Sequence, residues 1–260
     1  MKRLLNLALV CVPAVALAQD IHVVHCLAGC PTGTPETNDM VVREIYALSN
    51  NAETKFADWV AYRVTRETIG TSNSLGRDWQ NDRLLAADET LEEDDYDGAF
   101  RALRTDRGHQ APLASFAGTN FWRETNILSN ITPQKSALNQ GPWVRLETAV
   151  RDAAYASREV YVVTGPIFDP EEDPMKLPGA DEPHSVPTGY FKVVGDSSGR
   201  LTAFLFDQDA PRSMDYCDAI VTLQSVETAS GLDLFPREPN WPNGSLNARL
   251  GCQDPPASQR

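Results

Sequence analysis

His109 is the one histidine of a dense polar stretch, TDRGHQAP, with Arg107 two positions ahead of it. An unperturbed imidazole titrates near ~6.5, so it suits a general base around neutrality. Asn130 and Asn139 add neutral oxygen donors of the kind that hold a hard cation which keeps most of its waters. Arg107, Arg145 and Arg151 offer planar forks matched to phosphate oxygens. Glu147 and Arg151 stand one helical turn apart and can fix each other. Glu147 falls about 80° round a helix from Asn139, so both can face one cleft. The set points to phosphate chemistry. Taken singly, each residue has a plainer use: a structural hydrogen bond for the histidine, turns or caps for the asparagines, a surface ion pair for Glu147 and Arg151.

The elements that must position these residues follow from pattern. Trp143, Leu146, Val150, Ala153, Ala154 and Ser157 recur at helical spacing, which predicts a helix over 139–157 with Pro142 in its first turn. Strands are predicted over 57–63, over 159–164 with a stop at Gly165-Pro166, and over 219–223. Residues 189–194 and 201–206 flank the turn GDSSGR and read as a hairpin. Loops fall at 31–39 and 70–76, and 169–187 reads as a long proline- and acid-rich surface loop. The acidic run DETLEEDDYD at 88–97 reads as a solvated turn, with a cation site as the alternative. Separated strands with few helices, no βαβ alternation and no GxGxxG indicate an α+β fold.

With 260 residues, 42% hydrophobic and 23% charged, the chain is an ordinary globular sequence and excludes wholesale disorder, a collagen repeat or a small disulfide knot. A formal charge of −13 argues against a generic polycation that coats nucleic acid. Residues 101–160 run the other way, with eight Arg or Lys against five Asp or Glu, so positive charge gathers where the candidate site lies.

Residues 1–18, MKRLLNLALVCVPAVALA, have a basic start, a short apolar run and a small-x-small end, and read as a secretory signal peptide. Residues 19–260 then read as a single domain without repeat or long linker, exported to the periplasm or the medium, with no membrane segment left after leader removal. Cleavage removes Cys11 and leaves Cys26, Cys30, Cys217 and Cys252. An even count in an exported chain indicates two disulfides; of three pairings, proximity favours Cys26–Cys30 with Cys217–Cys252. A metal site from His22, His25, Cys26 and Cys30 is the alternative.

The chain resembles the secreted, sugar-non-specific DNA/RNA endonucleases of the Serratia nuclease type. The signature Asp106-Arg107-Gly108-His109 is followed by Gln110-Ala111-Pro112, then by NILSNITPQ at 126–134, NQG at 139–141 and RLE at 145–147. Flanking matches include CPTG at 30–33, VTGP at 163–166 and AFLFDQ at 203–208. The resemblance implies a ββα-metal nuclease fold, with a central antiparallel sheet flanked by helices. It implies His109 as general base and Asn139 as the single direct protein ligand of Mg²⁺, one ion per site, mostly water-coordinated, with Mn²⁺ able to substitute. It implies Glu147 as a carboxylate that orders metal-bound water, and Arg77, in GRDW, as a transition-state arginine. Asn130 is implied as support for the histidine or substrate, and Arg107 and Arg151 as arginines of the substrate cleft. The activity implied is endonucleolytic cleavage of DNA and RNA without strong sequence preference, leaving 5′-phosphates, by a protein that can form a homodimer. The competing readings are a non-catalytic nucleic-acid-binding protein on the same fold and a nuclease restricted to DNA.

Overall fold

The computed structural model describes residues 23–171, 175–237, 241–242 and 244–253. The expected leader at 1–18 and His22 lie outside these residues. Nine strands are seen among them: β1 Asp39–Val42, β2 Ala47–Asn51, β3 Phe56–Thr65, β4 Thr105–His109, β5 Ile131–Lys135, β6 Glu159–Ile167, β7 Gly189–Gly195, β8 Leu201–Asp207 and β9 Ile220–Val221. Seven form one antiparallel sheet in the order β1-β2-β3-β6-β7-β8-β9, and β4 and β5 form a separate two-stranded ribbon. The α-helices are α1 Ala99–Leu103, α2 Leu113–Phe116, α3 Ser136–Leu138, α4 Val144–Ser157 and α5 Leu223–Ser230.

The large sheet is apolar on both faces, because successive side chains of a strand point to opposite sides. Val60, Tyr62 and Val64 of β3, Val160 and Val162 of β6, Tyr190 and Val194 of β7, and Phe204 and Phe206 of β8 pack under α4, against Leu146, Val150, Ala153 and Ala154. The alternate residues Trp59, Ala61, Val163, Phe191, Val193, Leu201 and Ala203 pack on the other side with Val226 of α5 and Leu234 and Phe235. A smaller third core, with Phe56, Tyr96, Ala99, Ile131, Leu177 and Val186, joins the ribbon to the loops around it. This is the α+β arrangement the sequence implies, with helices on a central antiparallel sheet.

Four local expectations change. Strand β6 runs on through Gly165 and Pro166 to Ile167, paired to β7, with Pro166 opposite Tyr190. Its pairing to β3 ends at Thr164, so the missing proline N–H falls where no neighbour asks for it. Residues 219–223 do not form one strand: β9 is two residues long, and Thr222 caps α5 by accepting from the Ser225 amide. The helix expected from Asn139 starts regularly only at Val144; Asn139–Trp143 is a wider π-type turn, broken at Gly141. Finally, 169–187 is not all surface, since Leu177 and Val186 are buried.

Disulfides join Cys26 to Cys30 and Cys217 to Cys252. The first removes the sulfur ligands of the alternative metal site, and the His25 ring instead meets the Arg43 carbonyl at 2.9 Å. In the acidic run, Asp95 is buried and accepts from the Glu92 amide, and its carboxylate groups with those of Asp181 and Glu182 within 4.8 Å. That cluster does not line the cleft that holds His109 and Asn139.

Candidate active site

His109 ends β4, the first strand of the ribbon. The strand pairs with β5 so that Gly108 lies opposite Thr132 and His109 opposite Ile131. Glycine is required at 108: a Cβ there would sit 2.7 Å from Gln134 Cβ and 2.8 Å from its Oε1. Beyond the strand the chain is clamped by Asn130. Its Oδ1 accepts from the Ala111 amide at 2.8 Å, and its Nδ2 donates to the carbonyls of Ala111 and Thr125 at 3.0 and 2.8 Å. Asn130 is fully buried and does not line the cleft. It holds the backbone that follows the histidine.

The residue that meets the imidazole is Asn126. His109 Nε2 lies 3.1 Å from Asn126 Oδ1, and Asn126 Nδ2 donates to the Gly76 carbonyl at 3.2 Å. With its amide N–H turned to Gly76, Asn126 presents the oxygen to the ring, so Nε2 carries the proton and Nδ1 is left as the basic nitrogen. Trp79 packs on the ring with centroids 5.5 Å apart. Burial pushes the His109 pKa down to about 4; the Asn126 bond opposes this and the charge of Arg77 adds to it. The imidazole is therefore neutral through the whole neutral and mildly acidic range.

Across the cleft, the π-type turn presents Asn139. Its Nδ2 donates to Asp106 Oδ2 at 2.9 Å, and Asp106 also accepts from Ser136 Oγ at 2.5 Å and from Gln140 Nε2 at 2.8 Å. The first residue of the DRGH motif thus orients the asparagine and leaves its carbonyl oxygen for another partner. Glu147, on the first turn of α4, lines the same cleft of about 450 Å3, together with His109, Asn139, Arg77, Arg107 and Arg151. Its carboxyl is raised above the usual range by burial; the charges of Lys192 and then Arg151 oppose the shift.

Lys192 lies outside the motifs that mark the site in the sequence. It is fully buried on β7, under α4, with Nζ 3.2 Å from the Tyr62 hydroxyl and 4.1 Å from the Trp143 ring centroid. Burial lowers its pKa to about 8 against the pull of Glu147. A lysine inside the apolar run GYFKVV is the signal that could have found it, because a buried ammonium needs a partner. Asn126 gave no such signal, since asparagine in a loop is ordinarily a turn former.

The arginines divide. Arg77 is exposed at the cleft. Arg151 lines it, donates to Thr148 Oγ1 at 2.8 Å, and has a buried Nη1 without a partner; no ion pair with Glu147 is seen among the described residues. Arg107 lies over Tyr96 and Trp79 and donates to the Glu93 carbonyl at 2.7 Å, which fixes its guanidinium at the rim. Arg145 turns away to the carbonyls of Arg212 and Met214 and is not part of the cleft.

A cleft with a neutral base, an oriented amide oxygen, a buried carboxylate and three arginines is equipped for phosphoryl chemistry. The family model described as DNA/RNA non-specific endonuclease matches residues 28–240. The chain is 43% identical over 257 residues to the nuclease of Serratia marcescens, covering 96% of this chain and 94% of that protein. It is 29% identical to the mitochondrial endonuclease G of Homo sapiens over 78% of this chain and 72% of that one. The solved structure of EndoG in complex with EndoGI superposes with a TM-score of 0.67 at 24% identity, over 81% of this chain and 89% of that one, a likeness of fold. With its fold, its ribbon-borne histidine and these relatives taken together, the chain belongs to the DNA/RNA non-specific endonuclease family and is an endonuclease.

Proposed function

We propose that the cleft hydrolyses phosphodiester bonds of both DNA and RNA with the help of one divalent cation, Mg²⁺, and leaves 5′-phosphate ends. The observation that carries this reading is the pairing of a free His109 Nδ1 with the Asn139 carbonyl oxygen in one cleft, each fixed from behind by a different residue, Asn126 and Asp106. The donor set fits a hard, hydrated cation: Asn139 would hold it directly and Glu147 through a water. Bound there, the ion would supply Lewis-acid stabilisation of charge on the phosphate and on the leaving oxygen. His109 Nδ1 takes a proton from a water as that water's oxygen bonds to phosphorus, the bond from phosphorus to the 3′ oxygen breaks, and that oxygen takes a proton from solvent water. Arg77 and Arg151 neutralise the charge that builds on the phosphate oxygens. No 2′-hydroxyl enters, which is why DNA and RNA are both substrates. The signal-like segment at 1–18 and the two disulfides support export; no helix among the described residues is long and apolar enough to cross a membrane.

The test is nicking of supercoiled plasmid across a Mg²⁺ titration by purified His109→Ala and Asn139→Ala. His109→Ala should lose on the order of 10²–10⁴-fold in kcat with little change in substrate affinity. Asn139→Ala should need more Mg²⁺ for half-maximal rate. Near-wild-type nicking by the first would remove the base assignment, and an unchanged Mg²⁺ midpoint in the second would remove the ligand assignment.

A further inference from the structure

A second cleft, of about 510 Å3, opens beside the first and shares Arg77, Arg107, Asn139 and Gln140 with it. Beyond the shared Arg77 and Asn139, the hydrolysis described above makes no use of its walls. Its walls differ in kind, because Trp79, Tyr96 and Phe100 supply ring surface. Phe100 is 55% exposed, although Ala99 and Leu103 on the same short helix pack into the third core region. Cations flank the rings: the Arg104 guanidinium lies 5.5 Å from the centroid of Phe100, and that of Arg107 lies 5.2 Å from Tyr96 and 5.6 Å from Trp79. Two lining residues also carry buried polar atoms with no partner, the Thr105 hydroxyl and Arg107 Nε, and Thr105 is only 3% exposed.

We propose that this side cleft is a nucleobase subsite, which takes one base of a flexible single strand whose neighbouring phosphate lies at His109. The proposal rests on the phosphodiester reading of the main cleft. The occupant follows from the mixture of surfaces. Arginines continuous with a phosphate site hold the backbone of a strand, and the flat apolar part of that strand is its base. Phe100 offers the stacking face, and the Thr105 hydroxyl offers a hydrogen bond to the base edge. A base inside a duplex already has both faces stacked and its edge paired, so the subsite acts on single strands and on locally opened ones.

The experiment compares wild type with Phe100→Ala on three substrates: a single-stranded DNA oligonucleotide, the same strand built from abasic residues, and its duplex. Stacking of ordinary strength predicts a KM for the normal single strand raised about tenfold, with kcat kept within about twofold. KM for the abasic strand and the duplex should stay where it was, and Phe100→Trp should keep the wild-type KM throughout. An unchanged KM on the normal single strand overturns the subsite, as does an equal rise on the abasic strand or the duplex. Wild-type protein that cleaves none of the three with Mg²⁺ overturns the phosphodiester reading itself, whereas normal cleavage without a Phe100 effect removes the subsite alone.

Discussion

Asn126 decides which imidazole nitrogen is basic and helps decide when it is neutral. Burial and the charge of Arg77 keep the His109 pKa near about 4, and the single Asn126 bond is the one influence that supports the charged form. The acid limb of kcat/KM should therefore fall well below the ordinary histidine range, because protonation of Nδ1 removes the base only as pH drops through the lowered value. Asn126→Asp tests the assignment without touching His109. A carboxylate at hydrogen-bonding distance favours the imidazolium and raises its pKa by about 1–3 units, so the base is lost at a higher pH. The kcat/KM profile of the variant should shift its acid limb upward by at least about one unit. A limb that stays in place would mean that another group sets it. At this scale the sequence was legible where a motif marked the residue. His109, Asn139 and Glu147 stand in DRGH, NQG and RLE, the stretches that carry the family resemblance. Asn126 and Lys192 act from loop and strand positions that look structural, and only the folded chain brings them beneath the site.

Elements place these residues more finely than periodicity can foretell. The helical face from Trp143 to Ala154 was readable because burial repeats with the turn. The break at Gly141 was not, because it arises from a contact with a distant segment. A Cβ at position 141 would lie 2.8 Å from Arg212 Cα and 2.9 Å from the Arg212 carbonyl oxygen. The π-type turn therefore nests against residue 212, and this docking aims Asn139 toward Asp106. Gly141→Ala should push the turn outward, at a cost of about 1–3 kcal/mol in stability, the usual range for overpacking. More telling is function: the Mg²⁺ concentration for half-maximal rate should rise, as for loss of Asn139, while the acid limb set by His109 stays in place. A Mg²⁺ midpoint equal to that of wild type would show that the turn tolerates the displacement. Similarly, the extension of β6 past Gly165-Pro166 depended on which neighbour ends first, a property of pairing that a single strand's residues do not display.

The whole molecule is held at two places by covalent bonds, and the pairing was readable from proximity in sequence. Cys217–Cys252 closes 35 positions and Cys26–Cys30 closes four. On chain entropy the first restrains the unfolded chain by about 4 kcal/mol and the second by about 2. Serine replacement of both members of each pair, followed by urea unfolding, should show the larger loss for Cys217 and Cys252; an equal or reversed order would place the stabilisation in local packing. The long bond also ties down a segment whose Leu246 and Leu250 sit in the core below α4. Strands β3 and β6 are neighbours in the sheet, yet the chain between Thr65 and Glu159 holds every residue that lines the two clefts. The reactive part of the protein is a single excursion that leaves the sheet and returns beside its point of departure, so it can diverge, or be exchanged between relatives, as one cassette. Several host residues belong with that cassette although they lie outside it, among them Lys192, whose charge reaches Glu147, Gln208, which accepts from the Lys135 amide and donates to the Pro133 carbonyl, and Arg212, which donates to Gln140 Oε1 and against which the turn at Gly141 nests. A graft of residues 66–158 into a foreign sheet must bring these along.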